Sequence, residues 1–231
     1  MSVADDITSN SRSTFQSAWE VRNGTVVPNA EDLKLSNDAV YFQTATVLYA
    51  DLDGSTNLVE SKKWEFSGQV YKTFLYAASR LIRKHNGSIV SYDGDRVMGV
   101  FISSKQRNEA VSCALELNYA VKNLVQPELE KKWSTDFKIR HVVGIDTSEI
   151  RVARTGVRGD NDLVWIGNAP NLAAKLTTLN ADHPTYITKR VYDSLENSQK
   201  RGSKGEDIWR KWTWTQHNND EIFSTTYWRT L

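Results

Sequence analysis

The sequence predicts an α+β protein built on a ferredoxin-like split βαβ unit, in which helices cover an antiparallel sheet. Residues 44–51 form a short apolar run typical of a buried strand, and residues 63–87 carry apolar side chains at helical spacing. Two strand-like runs, 88–92 and 96–102, are separated only by Asp-Gly-Asp, which indicates a tight hairpin. A second helix and a further strand follow, so the predicted order is β-α-β-β-α-β.

The second half of this unit is predicted from the segments that follow in the sequence. Residues 108–124 have the apolar periodicity of a long helix. Residues 137–146 and 149–156 are interpreted as two strands, and residues 162–167 as the next one. These elements complete the split βαβ unit and add two strands beyond it.

The remaining elements extend the domain towards the C-terminus. A helix is expected from Asn168, which is a suitable N-cap, with Pro170 tolerated in the first turn. Residues 184–197 predict a strand and a short helix, and the Trp-rich residues 209–231 alternate like a hairpin around Asn-Asn-Asp. Residues 1–40 are polar and weakly periodic, which predicts an N-terminal extension or arm. The expected division is therefore an arm at 1–40 and a domain at 41–231 that ends in the Trp-rich hairpin.

The composition and net charge exclude several classes of binding partner. The formal net charge is only +1, so no global field draws nucleic acid or anionic lipid to this chain. The single cysteine, Cys113, excludes a disulfide framework and favours a reducing compartment. No apolar stretch reaches the roughly 18 residues of a membrane span, and the polar start lacks the parts of a signal peptide. We expect a cytoplasmic protein with no nucleic-acid or membrane partner.

Four carboxylates follow strand ends that the predicted topology brings together. Asp51 and Asp53 follow the first strand, and Asp93 and Asp95 flank the hairpin glycine. Because the first strand and the hairpin are neighbours in this fold, the four side chains are expected to converge and to share divalent cations, which prefer oxygen ligands. Two Mg²⁺ or Mn²⁺ ions held by two Asp residues suit nucleoside triphosphate chemistry. The alternative, simple turn formers, applies more to Asp53 and Asp93 than to the two that abut the strands.

Residues 51–56, Asp-Leu-Asp-Gly-Ser-Thr, leave a second chemistry open. They match the nucleophile motif of haloacid dehalogenase-like phosphatases, in which the first Asp attacks phosphorus. That fold requires alternating strands and helices around a parallel sheet. The hairpin predicted directly after the first helix argues against it.

A second polar pair lies in residues 168–179. Asn171 and Lys175 are four residues apart, so they lie on one face of the predicted helix. An amide and an ammonium group presented together can hold an oxyanion or a transferring phosphoryl group. By itself the pair equally fits an ordinary solvated helix face.

Three segments together resemble the class III nucleotide cyclases. Residues 48–56 are similar to that family's first metal motif, residues 91–101 to its second, and residues 165–176 to its third. They occur in the family's order, and the resemblance spans residues 44–195.

The resemblance implies a role for four residues. Asp51 and Asp95 would bind two divalent cations, Mn²⁺ or Mg²⁺, Asn171 would orient the ribose, and Lys175 would stabilise charge on the α-phosphate. The family usually has Arg at the last position, and Lys keeps the charge without the bidentate fork. The metal and helix residues of this family come from opposite subunits, so a homodimer with interfacial active sites is implied.

The positions that read a purine base in this family are changed. They correspond to Ser91 and Val164, and neither offers the usual partners of adenine or guanine. Tyr49, two residues before Asp51, is a candidate for shaping a smaller pocket, or else an ordinary core aromatic. The pattern is most similar to the pyrimidine cyclases of bacterial Pycsar antiphage systems, which implies conversion of UTP to cyclic UMP for a separate downstream effector. CTP as substrate, and an inactive nucleotide sensor, remain alternatives.

Overall fold

The computed structural model describes residues 2–231. Its nine strands form one sheet with the order β3-β4-β2-β5-β7-β9-β8, while β1 pairs with β2 and β6 with β5. The strands are β1 (Glu20–Asn23), β2 (Asp38–Leu52), β3 (Ser88–Asp93), β4 (Arg96–Phe101), β5 (His141–Val157), β6 (Asp160–Gly167), β7 (Thr185–Thr188), β8 (Arg210–Trp214) and β9 (Asp220–Thr225). The helices are α1 (Val3–Gln16), α2 (Ser55–Ser61), α3 (Trp64–Lys84), α4 (Gln106–Ala120), α5 (Gln126–Trp133), α6 (Asn168–Leu176), α7 (Lys189–Asp193) and α8 (Asn197–Lys200).

The central strands confirm the split βαβ prediction. In the order β3-β4-β2-β5 every neighbouring pair is antiparallel, with β2 in the middle against both β4 and β5. Parallel pairing is confined to β1 with β2 and β5 with β7. This arrangement excludes the parallel sheet that the phosphatase alternative requires.

The two faces of the sheet are covered differently. Leu48 and Ala50 of β2 point into the larger core, where they meet Phe74 of α3 and Leu115 of α4. The alternate residues of the same strand face a second cluster that α6 covers. Gly144 of β5 makes this close packing possible, because a Cβ atom there would lie 2.1 Å from the backbone oxygen of Ala173.

Three elements differ in their limits from the sequence prediction. The two strands expected at residues 137–146 and 149–156 are one strand, β5, because Thr147 and Ser148 between them pair with Thr46 and Ala45 of β2. The Thr147 hydroxyl also donates to the Ala45 carbonyl at 3.2 Å. The helix expected to end at Leu124 continues through a π turn, Val121–Val125, into α5. The prediction that Asn168 caps α6 is wrong: Asn168 is its first residue, and the Ser148 hydroxyl accepts from the Ala169 amide at 3.0 Å.

The two ends of the chain are more ordered than polarity alone suggests. The N-terminal arm contains α1 and β1, and β2 begins at Asp38, so this strand crosses the boundary expected between residues 40 and 41. The C-terminal hairpin is confirmed as β8 and β9, whose turn places Asn218 and Asn219 at φ 51° and 57°. Asparagine tolerates this left-handed conformation better than most residues. In the described part of the chain, no helix is long and apolar enough to cross a membrane.

Candidate active site

Asp51 and Asp95 lie at the same end of two neighbouring strands. Asp51 is the penultimate residue of β2, and Asp95 lies in the turn that joins β3 to β4. Gly94 adopts φ +61° in this turn, a conformation that favours glycine, and so lets the chain reverse directly before Asp95. Because β4 pairs with β2 from Val97↔Ala50 onward, the turn lies beside the end of β2.

The two carboxylates carry negative charge that nothing nearby fully compensates. Burial raises the pKa of Asp51 from 3.8 to about 6, with Asp95 as the next contribution, against weaker opposing effects that include Arg96. The Oδ2 atom of Asp95 is buried, and it has no hydrogen-bond partner among residues 2–231. Burying an unpaired carboxylate is costly, so the pair is poised for a cation.

The other two carboxylates are paired with guanidinium groups. Asp53 accepts a hydrogen bond from Arg140 Nε at 2.9 Å, and its backbone amide donates to the Arg140 carbonyl, also at 2.9 Å. Asp93 accepts from Arg96 Nη2 at 2.7 Å. These pairings favour the alternative given for Asp53 and Asp93, which leaves Asp51 and Asp95 as the candidate metal ligands.

The donor set fits a divalent cation that is shared with a phosphorylated substrate. No group of three or more His, Cys, Asp and Glu side chains with metal-ligand geometry occurs within the described residues. Mg²⁺ is commonly held by one or two carboxylates together with substrate phosphates and water. Asp51 and Asp95 supply that number of carboxylates, and the unpartnered oxygen of Asp95 is available for the role.

Tyr49 and Ser91 lie in one row next to this carboxylate pair. Tyr49 of β2 and Ser91 of β3 both lie directly opposite Met98 of β4. Directly opposite residues of antiparallel strands share a face, so both side chains lie on the face that also carries Asp51, two residues after Tyr49. Tyr49 is half-buried. The structure therefore brings together four of the residues proposed from the sequence.

Arg96 belongs to the same cluster, although sequence reasoning missed it. Its guanidinium carbon lies 5.4 Å from the centre of the Tyr49 ring, and its charge opposes the rise in the pKa of Asp51. Its Nε atom is buried and has no hydrogen-bond partner in the described chain. The position directly after Asp95 is the one sequence signal that could have identified it.

Val164, Asn171 and Lys175 lie on consecutive elements but do not form one group. Val164 is on β6, which leads through Gly167 into α6, and Asn171 and Lys175 are exposed on that helix. The C-terminal end of α6 reaches the carboxylates, because a hydrogen bond from the Thr177 side chain lowers the pKa of Asp51.

Val164 also points away from the carboxylate cluster. Val152 of β5 belongs to the same core cluster against which Tyr49 packs. The next residue, Ala153, therefore points to the opposite face of the sheet, as does Val164, which lies directly opposite Ala153. Within one chain, Val164 therefore does not face the carboxylate cluster.

The raised pKa of Asp51 leads to a stability prediction. Because its folded-state pKa lies above its usual 3.8, ionised Asp51 opposes folding above about pH 6, and this cost disappears as the pH falls below 3.8. Without divalent cations we expect Asp51→Asn to raise the melting temperature by roughly 2–4 °C at pH 8, after allowance for the partial exposure of the side chain. Thermal unfolding should show this difference vanish near pH 4. An unchanged or lower melting temperature at pH 8 would contradict the prediction.

Comparison with known proteins identifies the class to which this fold and these residues belong. Residues 38–211 match the family described as the adenylate and guanylate cyclase catalytic domain, so the chain belongs to that family. The match contains every candidate residue described above. The prediction of class III cyclase membership is therefore confirmed.

Relatives that match over nearly the full length of the chain are named as one particular type of cyclase. The chain is 53% identical to a uridylate cyclase of Burkholderia cepacia over 99% of both chains, and 41% identical to a uridylate cyclase of Xanthomonas perforans, again over 99% of both. Among solved structures, the adenylyl cyclase CyaB from P. aeruginosa superimposes with a TM-score of 0.65 at 22% identity, covering 83% of this chain and 97% of that one. The guanylyl cyclase Cya2 gives a TM-score of 0.67 at 18% identity, covering 82% and 94%.

Proposed function

We propose that this protein is a metal-dependent uridylate cyclase that converts UTP to 3′,5′-cyclic UMP and pyrophosphate. The observation that carries the proposal is the half-buried carboxylate pair of Asp51 and Asp95, in which burial and Asp95 raise the pKa of Asp51 and Oδ2 of Asp95 has no hydrogen-bond partner among the described residues. The two full-length relatives that are named uridylate cyclases support the choice of nucleotide.

The reaction joins the ribose O3′ to the α-phosphorus and breaks the bond between that phosphorus and the leaving pyrophosphate. Asp51 and Asp95 would hold two divalent cations, Mg²⁺ or Mn²⁺, which when bound lower the pKa of the hydroxyl and offset the charge of the triphosphate. Asn171 orients the ribose so that O3′ lies in line with the leaving group. Lys175 places its ammonium beside the α-phosphate oxygens, where negative charge develops.

The resemblance to class III cyclases implies that a second copy of the chain completes each site. Asn171 and Lys175 are exposed on α6, so their side chains are accessible to a partner chain. In a twofold-symmetric dimer each chain contributes the same patches to its partner, so two equivalent composite sites form. We therefore assign the active sites to a homodimer interface.

The residues around the base position favour a pyrimidine. Tyr49, Ser91 and Arg96 lie on one face beside the carboxylates, and Val164 would approach from the second copy. None of these presents the carboxylate and ammonium pair that reads adenine in related cyclases. The Arg96 guanidinium can donate to a base carbonyl, and the Ser91 hydroxyl can donate or accept. The resemblance to Pycsar cyclases extends the proposal to cyclic UMP as a second messenger for a separate effector in antiphage defence.

Lys175 should matter for rate more than for substrate binding. If its ammonium meets charge that develops only in the transition state, Lys175→Ala lowers kcat by on the order of 10²-fold and changes KM little. Lys175→Arg keeps the charge and should retain activity within about tenfold of the wild type. Steady-state assays of pyrophosphate release measure both constants. A rise in KM at unchanged kcat would instead assign Lys175 to ground-state binding.

The proposed activity is tested by incubating the purified protein with Mn²⁺ and each of ATP, GTP, CTP and UTP, with products identified by mass spectrometry. Cyclic UMP from UTP supports the proposal. Cyclic CMP as the sole product would keep the mechanism and overturn the base assignment. Nucleotide binding without a cyclic product would favour the inactive sensor.

A further inference from the structure

The helix α1 presents an apolar face that its own chain leaves uncovered. None of its residues is buried. The side chains of Val3, Ile7 and Phe15 are 77%, 61% and 87% exposed. At about 100° per residue these three side chains fall on one stripe of the helix. An exposed stripe of this kind on a short helix is expected to pack against something.

The charges of α1 indicate what covers this stripe. Helices that bind anionic membrane surfaces carry a polar face rich in Lys and Arg. The charged residues of α1 are instead Asp5, Asp6 and Arg12, and two carboxylates against one guanidinium leave a net charge of −1. A protein surface therefore suits this helix better than a lipid surface.

The helix is held at one end only. The Asn37 side-chain amide donates to the carbonyls of Thr14 and Ser17, each at 2.8 Å, which ties the last turn of α1 to the start of β2. An isolated helix of 14 residues is marginal in water, so these terminal bonds do not account for its stability. Packing of the apolar stripe would supply what is missing.

A second exposed apolar surface lies next to this anchor point. Val21 of β1 lies opposite Ala39, which lies opposite Ala153, which in turn lies opposite Val164, so these four side chains share one face of the sheet. The two inner residues of this row, Ala39 and Ala153, are buried, and its edge residues Val21 and Val164 are 51% and 39% exposed. Ile166, two residues along β6 on the same face, is 48% exposed. In the proposed dimer, Val164 also lies beside the nucleobase of the substrate that the second copy binds.

From this continuity we infer that α1 packs its apolar stripe against a second copy of this chain, as part of the interface that completes the active sites. The inference rests on the proposed homodimeric cyclase and adds a contact outside the catalytic residues. The second copy must already cover the Val164 face, and α1 is anchored beside that face. The stripe and the sheet face then form one continuous interface.

The test uses exposed residues, so that the variants keep the fold of the protomer. Ile7→Asp combined with Phe15→Asp places two charges on the stripe, while Ser9→Asp combined with Gln16→Asp places two charges on the opposite face of α1. Sedimentation equilibrium should show that the first variant weakens dimerisation at least tenfold and that the second matches the wild type. Specific activity of the first variant should fall on dilution and recover at high protein concentration.

The outcomes separate this inference from the proposed activity. An unchanged dimer dissociation constant in the stripe variant would overturn the inference while cyclic UMP formation stood. If the wild type depends on the stripe for dimerisation but makes no cyclic nucleotide, only the proposed activity would be overturned. Co-sedimentation of the wild type with phosphatidylserine vesicles, lost in the stripe variant without any change in dimerisation, would assign α1 to a membrane and overturn the inference.

Discussion

Asp51→Asn is expected to abolish cyclic nucleotide formation, with a loss in kcat on the order of 10³-fold or more. The substitution keeps the size of the side chain and removes the charge that would hold a divalent cation at the end of β2. Because burial and Asp95 already oppose ionised Asp51, the variant should fold at least as well as the wild type. Product formation from UTP with Mn²⁺, measured alongside thermal unfolding, separates a lost site from a lost fold.

Asp53→Asn is the matched control for this experiment. The two carboxylates are two residues apart, but Asp53 is paired with Arg140 in a partly exposed salt bridge. Such pairs contribute about 0–1 kcal/mol, so activity should remain within a few-fold of the wild type. Asp95→Asn and Asp93→Asn form a second pair with the same contrast, since Asp93 is bound by Arg96. Equal losses in Asp51→Asn and Asp53→Asn would contradict the assignment of the metal ligands.

Two inactive variants are expected to restore activity when they are mixed. In the proposed dimer, Asp51 and Lys175 of one active site come from opposite chains, so Asp51→Asn and Lys175→Ala damage different halves of the composite site. In a heterodimer of these variants one composite site carries both changes and the other carries neither. Random exchange of subunits at equal concentrations should then recover about one quarter of wild-type activity, because half the dimers are mixed and each has one intact site of two.

The control mixture combines Asp51→Asn with Asp95→Asn. Both changes lie in the same half, so each composite site of the heterodimer keeps one of them, and no activity should return. Mixing is followed by pyrophosphate release after incubation long enough for subunits to exchange. If the first mixture also stays inactive although mass spectrometry detects heterodimers, the active site lies within a single chain and the homodimer proposal fails.

The architecture of the domain could be predicted from the sequence to a large extent. The apolar periods of α3 and of the strands around Gly94 are local patterns, and the order of elements then permits few topologies. The first and last residues of the helices and strands could be predicted less well. The single strand β5 pairs with β2, about a hundred residues earlier in the chain, and the first turn of α6 is bonded to Ser148 of β5. Local propensities carry no information about contacts between residues that are so far apart in the sequence.

The candidate site, too, could be predicted only in part from the sequence. The residue types and their order, from Asp51 and Asp95 to Asn171 and Lys175, can be read from the sequence, because motif spacing is a property of the chain. Which carboxylates lack a partner depends on the fold: Arg140 lies 87 residues after Asp53 and reaches it only because β5 pairs with β2. It also placed Arg96 beside Tyr49 and left α1 uncovered. Charge compensation and burial are set by neighbours in space, and those neighbours are distant in sequence.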